Sequence, residues 1–319
     1  MYLVRTPGFS PVPYTFVVMW SSGALAVEFG LRHTNVANFL WLRALGAALI
    51  SWLVWLAVRD ALPRGRRQWV RLLLAGLFLQ VGYQGLFFLA IWAELPAGIA
   101  VLIVGSQPIL TALLSRQGRD ARLWLGLLLG FGGLLLAVSS SLDGHATALG
   151  VAFAFGALLL ITVGTLVQST NKGVGIWSSL AVQTTVSTVA FGLLGAGQLE
   201  LPENGSFYLA LGWMVVIVSV GATALLYLLV RRGAVTKVAS LFYCVPAVAA
   251  ILDYLVLGTK LGWSEVLGIA IVLAAVALIQ APRSRRSRVL VQRERVVVDA
   301  VQRGASDQHL GHGCADHRR

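Results

Sequence analysis

Charge is scarce in this sequence. Asp, Glu, Lys and Arg make up 12% of its 319 residues, about half the share usual in soluble domains. So few charges cannot cover a water-exposed surface, which excludes an ordinary soluble fold. Cysteine is rarer still, with two residues. Cys244 lies in an apolar run and Cys314 near the C-terminus, too few and too far apart for a disulfide framework or a thiolate metal site. His309, His312 and His317 near the C-terminus read as solvated residues, so no metal site is expected. Motifs that carry chemistry are also missing. No HExxH pair, GxSxG elbow or aspartate-rich diphosphate motif is present, which argues against an enzyme, and no GxxxxGK[ST] loop marks an ATP-driven pump. No cofactor is implied. A channel filter would show as a ring of charges or a carbonyl-rich repeat, and neither is evident. The stretch Met1–Ser10 is polar and the apolar run after it has the length of a membrane span, so the first helix is expected to stay as an uncleaved anchor.

Long apolar runs are abundant: 57% of the residues are hydrophobic. A bilayer span needs about 20 mostly apolar residues. Ten such windows follow one another: Tyr14–Leu31, Val36–Val58, Val70–Trp92, Pro96–Leu114, Leu123–Ser139, Thr147–Gln168, Ile176–Gly197, Phe207–Val230, Ala234–Leu257 and Ser264–Gln280. Only Ala93, Glu94 and Leu95 separate the third from the fourth, and merging that pair would give nine spans. Basic residues decide between the counts, because they concentrate on the cytoplasmic side. With ten spans and the N-terminus inside, twelve Lys and Arg fall on the inner side and two, Arg32 and Lys260, on the outer. The expected fold is therefore an all-α membrane protein of ten transmembrane helices with both termini cytoplasmic, in the plasma membrane. Residues 281–319 form a basic tail with nine Arg against four acidic residues. This tail reads as a disordered topology anchor able to meet anionic lipid headgroups. The net charge of +12 sits in loops and tail rather than on an amphipathic face, so nucleic acid is not an expected partner.

Two segments 138 positions apart resemble each other, Ala97–Leu114 with Leu123–Val138 and Val235–Leu252 with Glu265–Gln280. Each holds a proline within its first helix, Pro108 and Pro246, read as helix kinks. Five spans per unit is an odd number, so the two copies would face opposite ways across the membrane, as in many alternating-access carriers.

Several stretches carry a family resemblance. They are Trp20-Ser21-Ser22-Gly23, Leu42-Arg43, Gly82 to Ala90, Leu95-Pro96-Ala97-Gly98, Gln107 to Ala112, Val235 to Pro246, and Gly258 to Leu261 with Glu265 and Gly268. In this order and spacing the sequence resembles the ten-helix EamA-type members of the drug/metabolite transporter superfamily. The resemblance implies two five-helix repeats, at 14–139 and 147–280, around a cavity lined by spans one to four and six to nine. Spans five and ten would then be peripheral. It also implies membrane transport, with many members exporting amino acids or other metabolites. The loop Ser115 to Asp120 lacks the Gly-Glu usual there, and Thr259 stands where the second repeat would carry Glu.

Polar residues within spans are costly, so they are the site candidates. Gln80, Tyr83 and Gln84 share one face of the third span by their i, i+3, i+4 spacing. Gln107 and Tyr243 lie beside the two prolines, and Trp20 lies beside two serines. These six are the candidate substrate contacts. Glu28 and Arg43, near the outer ends of the first two spans, are candidates for an ion pair, and Asp253 with Glu28 for coupling to a proton. The Gly126 to Gly130 spacing permits a close helix contact, either within the chain or in a homodimer. The expected function is a secondary transporter exporting small metabolites, with a small-molecule substrate and membrane lipid as partners. The alternative is a membrane receptor or assembly scaffold on the same fold.

Overall fold

The computed structural model describes residues 11–115, 120–139, 147–195, 200–233, 235–258 and 262–281, and within these the side chains at 28, 97, 98, 253 and 257 are not described. Among the described residues there are helices and no strands. Eight are long and apolar enough to cross a membrane: α1 (Val12–Leu31), α2 (Val36–Val58), α3 (Arg66–Trp92), α6 (Ala148–Ser169), α7 (Ile176–Leu194), α8 (Gly205–Arg232), α9 (Val235–Val256) and α10 (Trp263–Gln280). Two shorter apolar helices complete the set, α4 (Ile99–Leu114) and α5 (Ala121–Ala137). At about 1.5 Å per residue these two rise about 25 Å, slightly less than the hydrocarbon thickness of about 30 Å. Met1–Ile279 forms one compact unit and Gln280–Arg319 a second. The second is described only at 280 and 281, so the expected tail lies outside the described residues.

Local chemistry fixes the helix ends. Asn35 caps α2 by accepting the Asn38 N–H at 2.8 Å, and Thr147 caps α6 by accepting that of Gly150 at 3.1 Å. Glu265 in the first turn of α10 accepts the Gly262 N–H at 2.9 Å. The third and fourth windows are separate helices. Glu94 turns the chain with a φ of 60°, Leu95 is buried, and the Thr147 hydroxyl holds the Ala93 carbonyl at 2.5 Å. Most expected boundaries shift by one to four residues. α3 starts at Arg66 rather than Val70, because Arg66, Arg67 and Arg71 ride on its amphipathic first two turns. α7 stops at Leu194, with Gly195 as its C-cap donating to the Phe191 carbonyl at 2.8 Å.

Side-chain contacts define the two ends of the bundle. At one, Asn38 donates to the Glu200 carbonyl at 2.6 Å and His33 meets Ser206 at 3.1 Å. At the other, Asp60 reaches the start of α7. Outward-facing leucines such as Leu49, Leu53, Leu125, Leu128, Leu209 and Leu267 are exposed. An apolar surface of this extent suits acyl chains, not water.

α5 and α10 pack backbone against backbone. A Cβ on Gly268 would lie 2.4 Å from the Ala137 nitrogen, and one on Gly133 would lie 2.9 Å from the Val272 nitrogen. The glycines singled out in the sequence serve the same purpose: Gly126 faces Ile279 of α10, and Gly130 faces the Tyr243 ring of α9. Both glycines are thus engaged within the chain.

Five helices depart from regular geometry in mid-course. α1 breaks at Ser22 and α4 at Ser106, α9 has a 3₁₀ turn at Leu241–Tyr243, and α3 and α8 carry π-helical turns at Leu77–Gly82 and Met214–Ala222. Pro108 and Pro246 each fall in the first turn of the helical segment that follows a break, where a missing N–H costs little. Backbone this irregular is tolerated at membrane depth only when it is buried or lines a cavity.

Candidate functional site

Those five irregular helices surround one cavity of ≈ 430 Å³. α1 supplies Trp20, Ser21, Gly23, Ala24 and Val27; α3 supplies Tyr83, Gln84, Phe87 and Phe88; α4 supplies Val101, Val104, Gly105 and Gln107. Met214 and Val218 come from the π-turn of α8, and Phe242, Val245 and Pro246 from α9, with Arg43 of α2 and Ile161 of α6 completing the wall. No described lining residue comes from α5, α7 or α10. The volume falls within the range of small-molecule sites, about 300–1,000 Å³.

The aromatic part of the wall is interlocked. Trp20 and Phe242 meet edge to face at 5.3 Å, and Phe16 packs on both rings at 5.5 Å. The Ser21 hydroxyl donates to the Val245 carbonyl at 3.0 Å, tying α1 to α9 beside these rings. Other lining residues are polar. Gln107 is buried and reaches Thr165 of α6 at 3.4 Å. Arg43 is the one ionisable Arg, Lys, Asp or Glu among the described lining residues. Its Nε donates to the Ser219 hydroxyl, on the α8 π-turn, at 2.7 Å.

Below the cavity, towards Asp60, a chain of side-chain hydrogen bonds crosses four helices. Gln84 donates to Gln80 at 3.0 Å, and Gln80 donates to the Tyr227 hydroxyl at 3.3 Å. Tyr227 donates to Gln183 at 2.5 Å, and Gln183 donates to Gln168 at 2.8 Å. Ser187 donates to the Gln80 carbonyl, within the π-turn of α3, at 3.2 Å. The end of this half is closed by Asp60, whose carboxylate caps α7. It accepts the Trp177 N–H at 2.8 Å, the Ser178 N–H at 3.0 Å and the Ser178 hydroxyl at 2.5 Å. Arg231, in the last turn of α8, donates to the Gly175 carbonyl at 3.0 Å and to Ser179 at 3.2 Å. A Cβ at Gly175 would lie 2.0 Å from the Asp60 carboxyl carbon, so only glycine leaves room for this cap.

Of the residues singled out in the sequence, Trp20, Arg43, Tyr83, Gln84, Gln107 and Pro246 stand in the cavity wall. Gln80 lies one turn deeper, in the hydrogen-bond chain. Tyr243 is fully buried away from the wall, with its hydroxyl donating to the Leu127 carbonyl at 3.1 Å, and its neighbour Phe242 takes the wall position. The side chains of Glu28 and Asp253 lie outside the described residues, so the expected Glu28–Arg43 pair and the proton carriers do too. Pro108 is buried in the second segment of α4. Sequence reasoning did not reach Tyr227, Asp60 or Ser219. Tyr227 carries a usable signal, a phenol deep within a long aliphatic span. Asp60 carries none, because it caps a helix more than a hundred residues away.

The model of the EamA-like transporter family matches residues 14–139 and again 147–281. The chain belongs to the EamA-like transporter family. It is similar to the uncharacterized transporter YvbV of Bacillus subtilis, with 26% identity over 287 residues covering 82% of this chain and 88% of the relative. It is also similar to the uncharacterized inner membrane transporter YedA of Escherichia coli K12, 24% identical over 282 residues and covering 83% of this chain and 88% of that one. One solved crystal structure superposes with a TM-score of 0.74 at 18% identity, covering 84% of this chain and 95% of that chain, a likeness of fold. This EamA-family protein is a multi-pass transporter of the plasma membrane, with a small-molecule substrate and a lipid surround.

Proposed function

We propose that this EamA-family chain is a secondary transporter that exports small amphiphilic metabolites, amino acids or related compounds among them, by alternating access. In this reading all ten helices span the bilayer as two inverted five-helix repeats, 14–139 and 147–280, with both termini cytoplasmic. The observation that carries it is the asymmetry along the bundle. A solute-sized cavity fills the half towards Asn38, while the half towards Asp60 is filled by the Gln80 to Gln168 chain and the Asp60 cap. A carrier caught with one side sealed has this form, and the sealed side would be cytoplasmic. The repeat is supported by the placement of the helix breaks. The π-turns fall in the third helix of each half, and the breaks at Ser106 and Leu241–Tyr243 in the fourth.

The test is uptake of a mixed panel of radiolabelled solutes into proteoliposomes, with and without an imposed proton gradient. The expected result is saturable uptake that the gradient accelerates. Binding without flux across the panel would remove the carrier reading and leave a receptor or scaffold.

A further inference from the structure

We infer that Arg43 is the receptor for an anionic head group, so that the cavity selects a small organic monocarboxylate with an apolar or aromatic body. This takes from the carrier reading only that the cavity is the binding site.

An ionised side chain at membrane depth is expensive and persists where it has work to do. A guanidinium carries five N–H donors in a planar fork. Among the described residues Arg43 uses one of them, Nε to the neutral Ser219 hydroxyl at 2.7 Å, and no carboxylate there pairs with it. That bond fixes the plane of the fork against α8 while the side chain lines the cavity. Two nitrogens remain, the pair that receives a carboxylate through two parallel bonds. Tyr83 lines the same cavity as Arg43, so a phenol hydroxyl belongs to the same wall.

The rest of the wall states what the head group is attached to. Trp20, Phe87, Phe88 and Phe242 offer ring faces and edges, and Val104 and Met214 offer aliphatic surface. Among the described lining residues one carries a positive charge and the rest are uncharged, so the wall compensates one negative charge. A dianion such as a phosphate monoester would keep a charge unmatched, and an amine without a carboxylate would be repelled. A single carboxylate on an apolar body is the chemistry that matches all of these.

The test uses hydrocinnamate and its neutral near-isostere hydrocinnamamide, with binding measured calorimetrically on the full chain in lipid nanodiscs. The expected result is that hydrocinnamate binds about tenfold or more tightly than the amide. Arg43→Gln should bring the two affinities together. Ser219→Ala removes the bond to α8 and keeps the charge, so the preference should survive. If the glutamine variant does not fold, Arg43→Lys decides. The ammonium lacks the fork, so a reduced preference supports the inference and an unchanged one overturns it. Equal affinity in the unmodified protein, no binding of either probe, or a preference that outlives Arg43→Gln also overturns it. Flux separates this from the carrier reading. Anion-selective binding without transport fails the carrier and leaves Arg43's role intact. Transport of a neutral or cationic solute that ignores Arg43→Gln does the reverse.

Discussion

Towards the Asn38 end the helices enclose ≈ 430 Å³ of space walled by rings, and Arg43 holds one hydrogen bond to a neighbouring helix. Towards the Asp60 end the same helices close on one another, and Gln80, Tyr227, Gln183 and Gln168 bond side chain to side chain. Both halves place polar groups where lipid could not satisfy them. One half leaves donors facing a space, and the other spends most of them on its own neighbours, with Gln168 Nε2 and Arg231 Nε buried without a partner among the described residues. Polar groups already matched by protein hold a structure together, and those left facing a cavity are available to a solute. Substitutions in the two halves should therefore register in different measurements.

The largest effect is expected at the Asp60 cap. Asp60→Ala removes three acceptor contacts at the start of α7 and should cost about 2 to 3 kcal/mol of unfolding free energy in a detergent titration. Gln183→Leu cuts the hydrogen-bond chain on both sides and should cost about 1 to 2 kcal/mol by the same measurement. Tyr227→Phe removes one hydroxyl from that chain and should cost about 0.6 to 1 kcal/mol. Gln84→Ala, at the cavity surface, should change stability by less than about 0.5 kcal/mol while altering the concentration dependence of uptake. If Gln84→Ala destabilised more than Gln183→Leu, the division between a bonding half and a binding half would be wrong. A glycine pair on α3 sharpens the contrast. Gly76→Val must push against the Gln183 backbone, 3.1 Å from a Cβ, whereas Gly85→Ala meets one ring atom at 3.9 Å and should fold normally.

The helices were legible because a span must be long and apolar and its loops must turn or carry charge. Arg43, Tyr83, Gln84 and Gln107 were legible as candidates because a polar group in a span needs a reason. The apolar wall was not: Phe87, Val104 and Met214 look in sequence like residues facing lipid. The π-turns were equally hidden, because neither Leu77–Gly82 nor Met214–Ala222 contains a proline. Tyr243, which the sequence offers as a cavity contact, is buried with its hydroxyl on the Leu127 carbonyl, and Phe242 beside it lines the cavity. The 3₁₀ turn at Leu241–Tyr243 winds more tightly than an α-helix and sets which side chain faces inward.

The glycine contact between α5 and α10 has a mechanical side. With main chain against main chain at Gly133 and Gly268, no layer of side chains lies between the two helices to reshuffle. Sliding one past the other would drive the next Cβ into a peptide plane, so the pair travels as a single strut. Labels placed on these two helices would keep a fixed spacing while others move, which makes them the natural reference frame for distance measurements on this transporter.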